Sequence, residues 1–383
     1  AAPSMMVPEA QAAGALYVSA ENAMFNNVFG GAQIIEVVVI NGQDETDEEQ
    51  GEPVVKVDEN QLRMAQGVDG NWYGYFGDKT QVPLADESSY LNFGTDSDPT
   101  IYKGDWAEAS NVYKNEAGSP QNVATNYPTL SAWNNTGTAE GVANASIGQI
   151  GIAQADWPVI QLYDFTIGMF DVVLEQAGAD EVVTLDFNSA DLDDYASLTL
   201  DRSSASQESE IHLVITDNQL NIDPTAEDIV SFWVGGSSLT NGVSWMNRTT
   251  TWGDTDYIAY SNAFDDNGKL IINNATNGGA SILANDATLD DATADNYMIF
   301  YEGGENSGIF YNTDDNDDAS IVVADAAKRG FTATFDYNDS AQSFVVANDF
   351  GTIDMEEASV GDEWNSGEAL TVTLIDQDLN KNS

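Results

Sequence analysis

Apolar positions along this chain recur mainly every second residue. Trp72, Gly74 and Phe76 alternate with Tyr73 and Tyr75, and Ile211, Leu213 and Ile215 alternate with His212 and Val214. Successive side chains on a strand point to opposite faces, so the rhythm predicts β-strands with one covered face. Turn residues separate them. Asp69-Gly70 lies between runs at Leu62–Val68 and Asn71–Phe76, and Asp265-Asp266-Asn267-Gly268 lies between Tyr257–Phe264 and Lys269–Asn273. Helical periodicity is scarce. Short helical turns are predicted only at residues 8–14 and after Pro224, where Thr225 is placed to cap and Asp228 stands three positions on. The pattern predicts an all-β fold with few short helices.

One segment recurs. Ile215-Thr216-Asp217-Asn218-Gln219-Leu220-Asn221-Ile222-Asp223 aligns without gaps on Leu374-Ile375-Asp376-Gln377-Asp378-Leu379-Asn380-Lys381-Asn382, and each copy follows an alternating strand. A weaker third copy runs from Glu36 to Asp47. From Asp217 to Asp376 is 159 residues, the scale of a domain rather than of a solenoid repeat. The expected organisation is an N-terminal β-sandwich region over residues 1–205, as one or two sandwiches, and a second sandwich over 206–370. Residues 371–383 then form the first strand of a following unit, which makes Ser383 a fragment boundary. The polar run Asp201–Glu210 is the expected junction.

Charge changes the picture more than composition does. The 383 residues hold 64 Asp and Glu against 11 Lys and Arg, a formal net charge of −53. Nucleic acid is excluded as a partner, because a phosphate backbone is bound by clustered Lys and Arg. Anionic lipid surfaces are disfavoured for the same reason. A compact body of 41.1 kDa exposes about 15,000 Å², hence one net charge per ~280 Å². Such a polyanion repels itself less in brine, where the Debye length shrinks from ~10 Å at 0.1 M salt to ~3 Å at 1 M. Acidity on this scale often accompanies disorder, yet 42% of the residues are hydrophobic and 10% aromatic, enough to build cores. No run of ~20 uninterrupted apolar residues exists; the most apolar stretch, Ile147–Leu174, is broken by Asp156, Pro158, Asp164 and Asp171. The opening Ala1-Ala2-Pro3 suits a mature end left by cleavage after small residues.

Little here points to catalysis. Cysteine is absent and the only histidine, His212, lies within an alternating strand, which removes thiol chemistry, histidine-based zinc or iron sites and a plausible Ser-His-Asp triad together. With 64 acids, pairs at glycosidase separation arise by abundance alone. A glycosidase reading rests on Trp72, Trp106, Trp133 and Trp157 as sugar platforms, against which stands their use as sandwich core. Gly303–Gly308 reads as a hairpin turn rather than a phosphate loop.

Oxygen-rich loops are the chemistry on offer. Asp314, Asp315, Asp317 and Asp318 fall in one loop between strand-like Ile309–Tyr311 and Ile321–Val323, which reads either as a site for a hard cation, which takes six to eight such oxygens, or as a solvated acidic turn. Asp217, Asn221 and Asp223, like Asp376, Asp378 and Asn380, put oxygens at strand ends where a neighbouring domain begins. Ca²⁺ or Mg²⁺ clamping a domain junction is one reading, and an Asx-rich turn bonding its own backbone is the other. The acidic run from Asp44 to Glu52 reads as a solvated loop or a diffuse cation attractor rather than a fixed site. Five sequons begin at Asn134, Asn144, Asn247, Asn274 and Asn338.

At Gln61-Leu62-Arg63-Met64, Val68-Asp69-Gly70-Asn71-Trp72-Tyr73-Gly74-Tyr75-Phe76, Phe331–Tyr337 with its following sequon, and the two repeated segments, the chain resembles surface-layer proteins of ammonia-oxidising archaea (Nitrososphaerota). None of these motifs is catalytic, so the resemblance implies a scaffold and not an enzyme. It further implies tandem immunoglobulin-like sandwiches in a longer chain. It implies a secreted, cation-dependent glycoprotein lattice at the cell surface, self-associating through cyclic oligomers such as trimers or hexamers. With the charge, it leads to the expectation that the lattice enriches cations, ammonium among them. The competing readings are a calcium-dependent cell-surface adhesin and a secreted salt-adapted glycoside hydrolase.

Overall fold

Alternation becomes strands wherever one face can be covered, as in the computed structural model. It describes residues 15–40, 52–58, 60–67, 69–78, 80–82, 160–225, 227–233, 242–245, 269–274, 282–285, 297–313, 318–348, 351–356, 365–367, 369–376 and 379. The described structure is mostly β-strand, in two successive pairs of five-stranded sheets.

The first pair comprises β1 (Leu16–Val18), β2 (Val28–Phe29), β3 (Ile35–Val39), β4 (Val55–Val57), β5 (Asn60–Leu62), β6 (Ala65–Gln66), β7 (Trp72–Asp78), β8 (Ile160–Tyr163), β9 (Gly168–Leu174) and β10 (Glu181–Phe187). One sheet has the order β1-β3-β7-β6, with β8 parallel to β7, and the other has the order β2-β10-β9-β4-β5. Their inner faces share a core that joins Val18, Val37 and Phe76 of one sheet to Val55, Val172 and Leu185 of the other. Phe29 meets Phe76 edge-on across it, with ring centroids 6.3 Å apart. The layer is therefore a sandwich-like core built from the period-two residues.

A short helix, α1 (Ser189–Leu192), capped by the Asn188 side chain, leads out of β10. The second pair follows: β11 (Ser197–Leu200), β12 (Ser204–Ala205), β13 (Leu213–Thr216), β14 (Ile229–Trp233), β15 (Gly242–Trp245), β16 (Lys269–Asn274), β17 (Leu283–Asn285), β18 (Tyr297–Glu302), β19 (Ile309–Tyr311), β20 (Ile321–Val323), β21 (Thr332–Tyr337) and β22 (Gln342–Val346). The sheets run β11-β13-β19-β18-β14 and β12-β22-β21-β16-β15, with β17 and β20 as a separate ribbon. In both pairs the first edge is divided. β1 and β11 join one sheet antiparallel, while β2 and β12 join the other parallel to its last strand, β10 or β22. A hairpin of β23 (Thr352–Met355) and β24 (Val372–Ile375) comes last.

Three local readings change. The run Leu62–Val68 is two strands: β5 ends at Leu62 in one sheet, β6 lies in the other, and the chain crosses between them at Arg63-Met64. Arg63 is buried at that crossing, its Nε 2.9 Å from Glu52, so a charged residue replaces the apolar continuity that a single strand needs. The turn after Pro224 is not helical; Asp228 reaches back and accepts from the backbone of Ile222 and Asp223, holding a loop where Thr225 was placed as a cap. The segment Asp201–Glu210 carries β12 and bonds within the second pair, so the passage between pairs lies upstream, at Asn188–Ala196. Residues 8–14 and the Asp265–Gly268 turn lie outside the described residues, as does the acidic run save Glu52, which pairs with Arg63.

Gly74 is required by close approach. A Cβ there would stand 2.9 Å from a Leu62 methyl and 3.1 Å from the Arg63 carbonyl oxygen. Gly74→Ala is expected to destabilise the protein by about 1–3 kcal/mol through overpacking, read as a lower urea midpoint with an unchanged slope; an unchanged midpoint would contradict this packing.

Candidate functional site

The repeated acidic loop sits where the two sheet pairs meet. β13 ends at Thr216, and Asp217, in extended conformation, caps a 3-10 turn at Asn218–Leu220. Its Oδ1 accepts from Gln219 N at 2.8 Å, and its Oδ2 accepts from the Tyr337 hydroxyl at the end of β21. Asp223 Oδ1 accepts from the Thr225 backbone N at 2.9 Å and from the Thr225 hydroxyl at 2.6 Å. Asn221 donates to Asn306 Oδ1 at 2.8 Å, and Asn306 in turn donates to the Ser19 carbonyl of the first sheet pair at 3.0 Å. Asp217, Asn221 and Asp223 are all buried.

Two further acids hold this loop: Asp228, which the sequence marks only as the position three on from a Thr225 cap, and Glu302, for which it offers no particular signal. Asp228 Oδ2 accepts from Ile222 N and Asp223 N at 2.7 and 2.9 Å. Asp228 N donates to Glu302 Oε2 at 3.0 Å, while Glu302 Oε1 accepts from Ser307 N and Gly308 N at 2.7 and 2.8 Å. Glu302 is buried at the end of β18, and burial pushes its carboxyl up to about 7 against the opposing pull of these N–H donors. Leu220 and Ile222 of the loop then pack into one apolar cluster with Ile34, Tyr75, Val82, Ile160 and Leu162 of the first pair. A backbone bond from Ile34 N to Ile222 O, 3.0 Å, crosses the joint.

Negative charge gathers on the same joint. Glu36 of β3 accepts from the Tyr75 hydroxyl at 3.1 Å. Burial first, then the charges of Asp223 and Glu305, push its carboxyl up to about 7. Burial, together with Glu36, also raises the Tyr17 and Tyr75 hydroxyls. Cationic relief is scarce by arithmetic, since 11 bases cannot pair more than a small part of 64 acids.

The other predicted oxygens are placed as follows. A bridge between Thr313 and Ala319 closes the loop that contains Asp318, which is exposed, while Asp314, Asp315 and Asp317 lie outside the described residues. Asp376 follows β24 as Asp217 follows β13, and its carbonyl accepts from Leu379 N at 3.3 Å. Asp378 and Asn380 lie outside the described residues. Among the described residues no three Asp, Glu or His side chains converge on a metal-binding point. No protein-family model matches the chain, and no curated protein is similar to it. The chain's own chemistry therefore carries the functional reading.

Of the sequons, Asn134, Asn144 and Asn247 lie outside the described residues, and Asn274 ends β16. Asn338 and Asp339 form the two-residue turn between β21 and β22, both left-handed, with Ser340 N bonded to Tyr337 O at 3.0 Å. The Asn338 side-chain nitrogen, the atom a glycan would be attached to, donates to the Asp193 carbonyl at 2.7 Å. Trp72 is buried in the first core, where no sugar can stack on it; Trp106, Trp133 and Trp157 lie outside the described residues.

Glu36 and Glu302 bind protons more tightly folded than unfolded, so the stability they contribute is full below about pH 4.5 and is lost as pH rises through about 7. The urea midpoint is expected to fall between pH 5 and pH 8, and Glu36→Gln, which keeps an acceptor for Tyr75, is expected to flatten that fall. The slope should persist in 1 M NaCl, because desolvation, the larger cause, is not screened. A fall that vanishes in salt would assign it to surface repulsion instead.

Proposed function

We propose that this chain is a structural surface-layer protein: tandem immunoglobulin-like sandwiches that assemble into a porous, strongly anionic sheet outside the cell. Divalent cations hold the sheet together, and it enriches cations, ammonium among them, at the cell surface. The observation that carries the reading is a net charge of −53 borne on an all-β scaffold. The described acids at the joint have backbone and hydroxyl donors as partners, which suits a structural role. A wall of like-signed charge around pores concentrates counter-ions and repels anions.

Strand order supports the immunoglobulin-like part. In the first pair, β1-β3-β7-β6 follows the A-B-E-D order of that fold, and β10-β9-β4-β5 follows G-F-C with one added strand. The divided first edge, with β2 parallel to β10, recurs as β12 with β22. A secreted setting agrees with the salt that such a surface needs, and among the described residues no helix is long and apolar enough to cross a membrane. The Asp217–Asp223 loop stands at a joint between sheet pairs, which is where a cation clamp would act, although its carboxylates already accept from protein donors. For this reason the cation dependence is assigned first to exposed acids such as Asp318.

Electron microscopy of the purified protein tests the reading. Ordered sheets are expected on adding millimolar Ca²⁺ or Mg²⁺, with dissolution in EDTA and recovery when the ion is restored. Isolated sheets should pass ammonium faster than a nitrate or chloride of similar size. Protein that stays monomeric at every cation concentration, or sheets equally permeable to both signs, would overturn it.

A further inference from the structure

The segment that joins the two sheet pairs, Asn188–Ala196, is held from both sides. On the first pair, Leu192 of α1 packs with Val28 of β2 and with Phe25 just before it. Asn188 N donates to the Phe29 carbonyl at 3.0 Å, and Ser189 Oγ accepts from Gly31 N at 3.1 Å. The seat is tight: a Cβ on Gly30 would stand 2.6 Å from Ser189 Oγ and 2.9 Å from the Ser189 Cα. From the second pair, Gln219 Nε2 donates to the Ser189 carbonyl at 3.0 Å and Asn338 Nδ2 to the Asp193 carbonyl at 2.7 Å. A helix of one turn does not by itself fix the direction of the chain that leaves it, so these side chains set the path of the connector.

Asn338 is the distal member of the set, 145 residues along the chain from its acceptor. It is half-buried, and its left-handed backbone, φ 46°, suits the tight turn from β21 into β22. That turn carries the amide across to the connector. Asn338 also opens a sequon with Asp339 and Ser340, and the sequon's hydroxyl is turned inward as well: Ser340 Oγ donates to the Leu198 carbonyl of β11 at 3.4 Å. N-glycosylation replaces one hydrogen of Nδ2 with the anomeric carbon of a sugar. A sugar ring joined to an atom held 2.7 Å from the connector backbone competes with that backbone for the same space.

We propose that Asn338 is the latch of the connector, and that a glycan on Asn338 and a closed connector exclude one another. In the folded protein this sequon holds the two sheet pairs in register and is closed to modification. A sugar attached before folding leaves the connector fastened by Ser189 and Leu192 on the first pair, with Gln219 as its remaining side-chain bond from the second among those described here.

Hydrogen exchange tests the latch. Asn338→Gly keeps the left-handed turn and removes the donor, and amides of residues 192–196 are expected to exchange about 3–10-fold faster, the worth of one hydrogen bond. Those of residues 332–335 in β21 should keep their rates. Ser340→Ala deletes the sequon but leaves the Asn338 amide, and should leave residues 192–196 unchanged. Unchanged exchange in Asn338→Gly, or equal acceleration in the two variants, overturns the latch. For the glycan, an oligosaccharyltransferase with its lipid-linked sugar donor is applied to the folded protein and to a tryptic digest of it, in which Asn338 lies in an unfolded peptide. Asn338 is expected to be modified at least about 10-fold more slowly in the folded protein, where the latch must first open. Equal rates overturn the exclusion. None of these readouts depends on sheet formation, so the surface-layer reading stands or falls separately.

Discussion

Three buried carboxylates with almost no bases to neutralise them hold the joint between the two sheet pairs. Asp217, Asp228 and Glu302 accept hydrogen bonds from backbone N–H groups, and Asp217 also from a tyrosine hydroxyl. A buried ionised group is costly unless its lone pairs are engaged, and backbone donors engage them here. Here Glu302 fastens the Ser307-Gly308 turn to Asp228, Asp228 fastens the Ile222-Asp223 segment, and that segment bonds and packs against Ile34. Releasing any one of the three leaves the others accepting from loops that have lost their position. The docking of the second sheet pair on the first depends on this chain of acceptors.

How far the fold was legible depends on the length of the signal. β7 and β13 announce themselves by alternation, because several residues share a covered face and the pattern repeats it. β2 and β12 have two residues each and are defined only by a distant parallel partner, so no local pattern marks them. The break between β5 and β6 was hidden for the opposite reason: Arg63 interrupts the apolar run with a side chain that is nonetheless buried, through an ion pair with Glu52 eleven positions away.

The site was legible in composition but not in geometry. The repeat singled out Asp217, Asn221 and Asp223, which do lie at a joint, yet Asx residues after a strand serve equally as cation ligands or as caps. What decides is the supply of donors, and the decisive ones are remote: Tyr337 is 120 residues from Asp217 and Asn306 is 85 from Asn221. Asp228 is marked only as the third position after a Thr225 cap, a role the fold does not give it, and nothing local distinguishes Glu302 among 64 acids. Only the fold shows that both are buried.

The chain therefore carries two populations of carboxylate with opposite responses to its surroundings. Exposed acids such as Asp318 repel one another through water, and salt or bound divalent ions relieve that repulsion within a Debye length of ~10 Å at 0.1 M. Buried acids such as Glu302 are strained by desolvation, which ions in solution do not reach, and only a proton or a fixed N–H donor relieves them. If all the acids were of the first kind, the joint between sheet pairs would loosen whenever cations were scarce, and a sheet built from it would lose its dimensions with its ions. If the joint depends mainly on the second kind, its geometry should change little with ionic strength, and in the proposed surface-layer role the outer charge is left to gather and exchange cations.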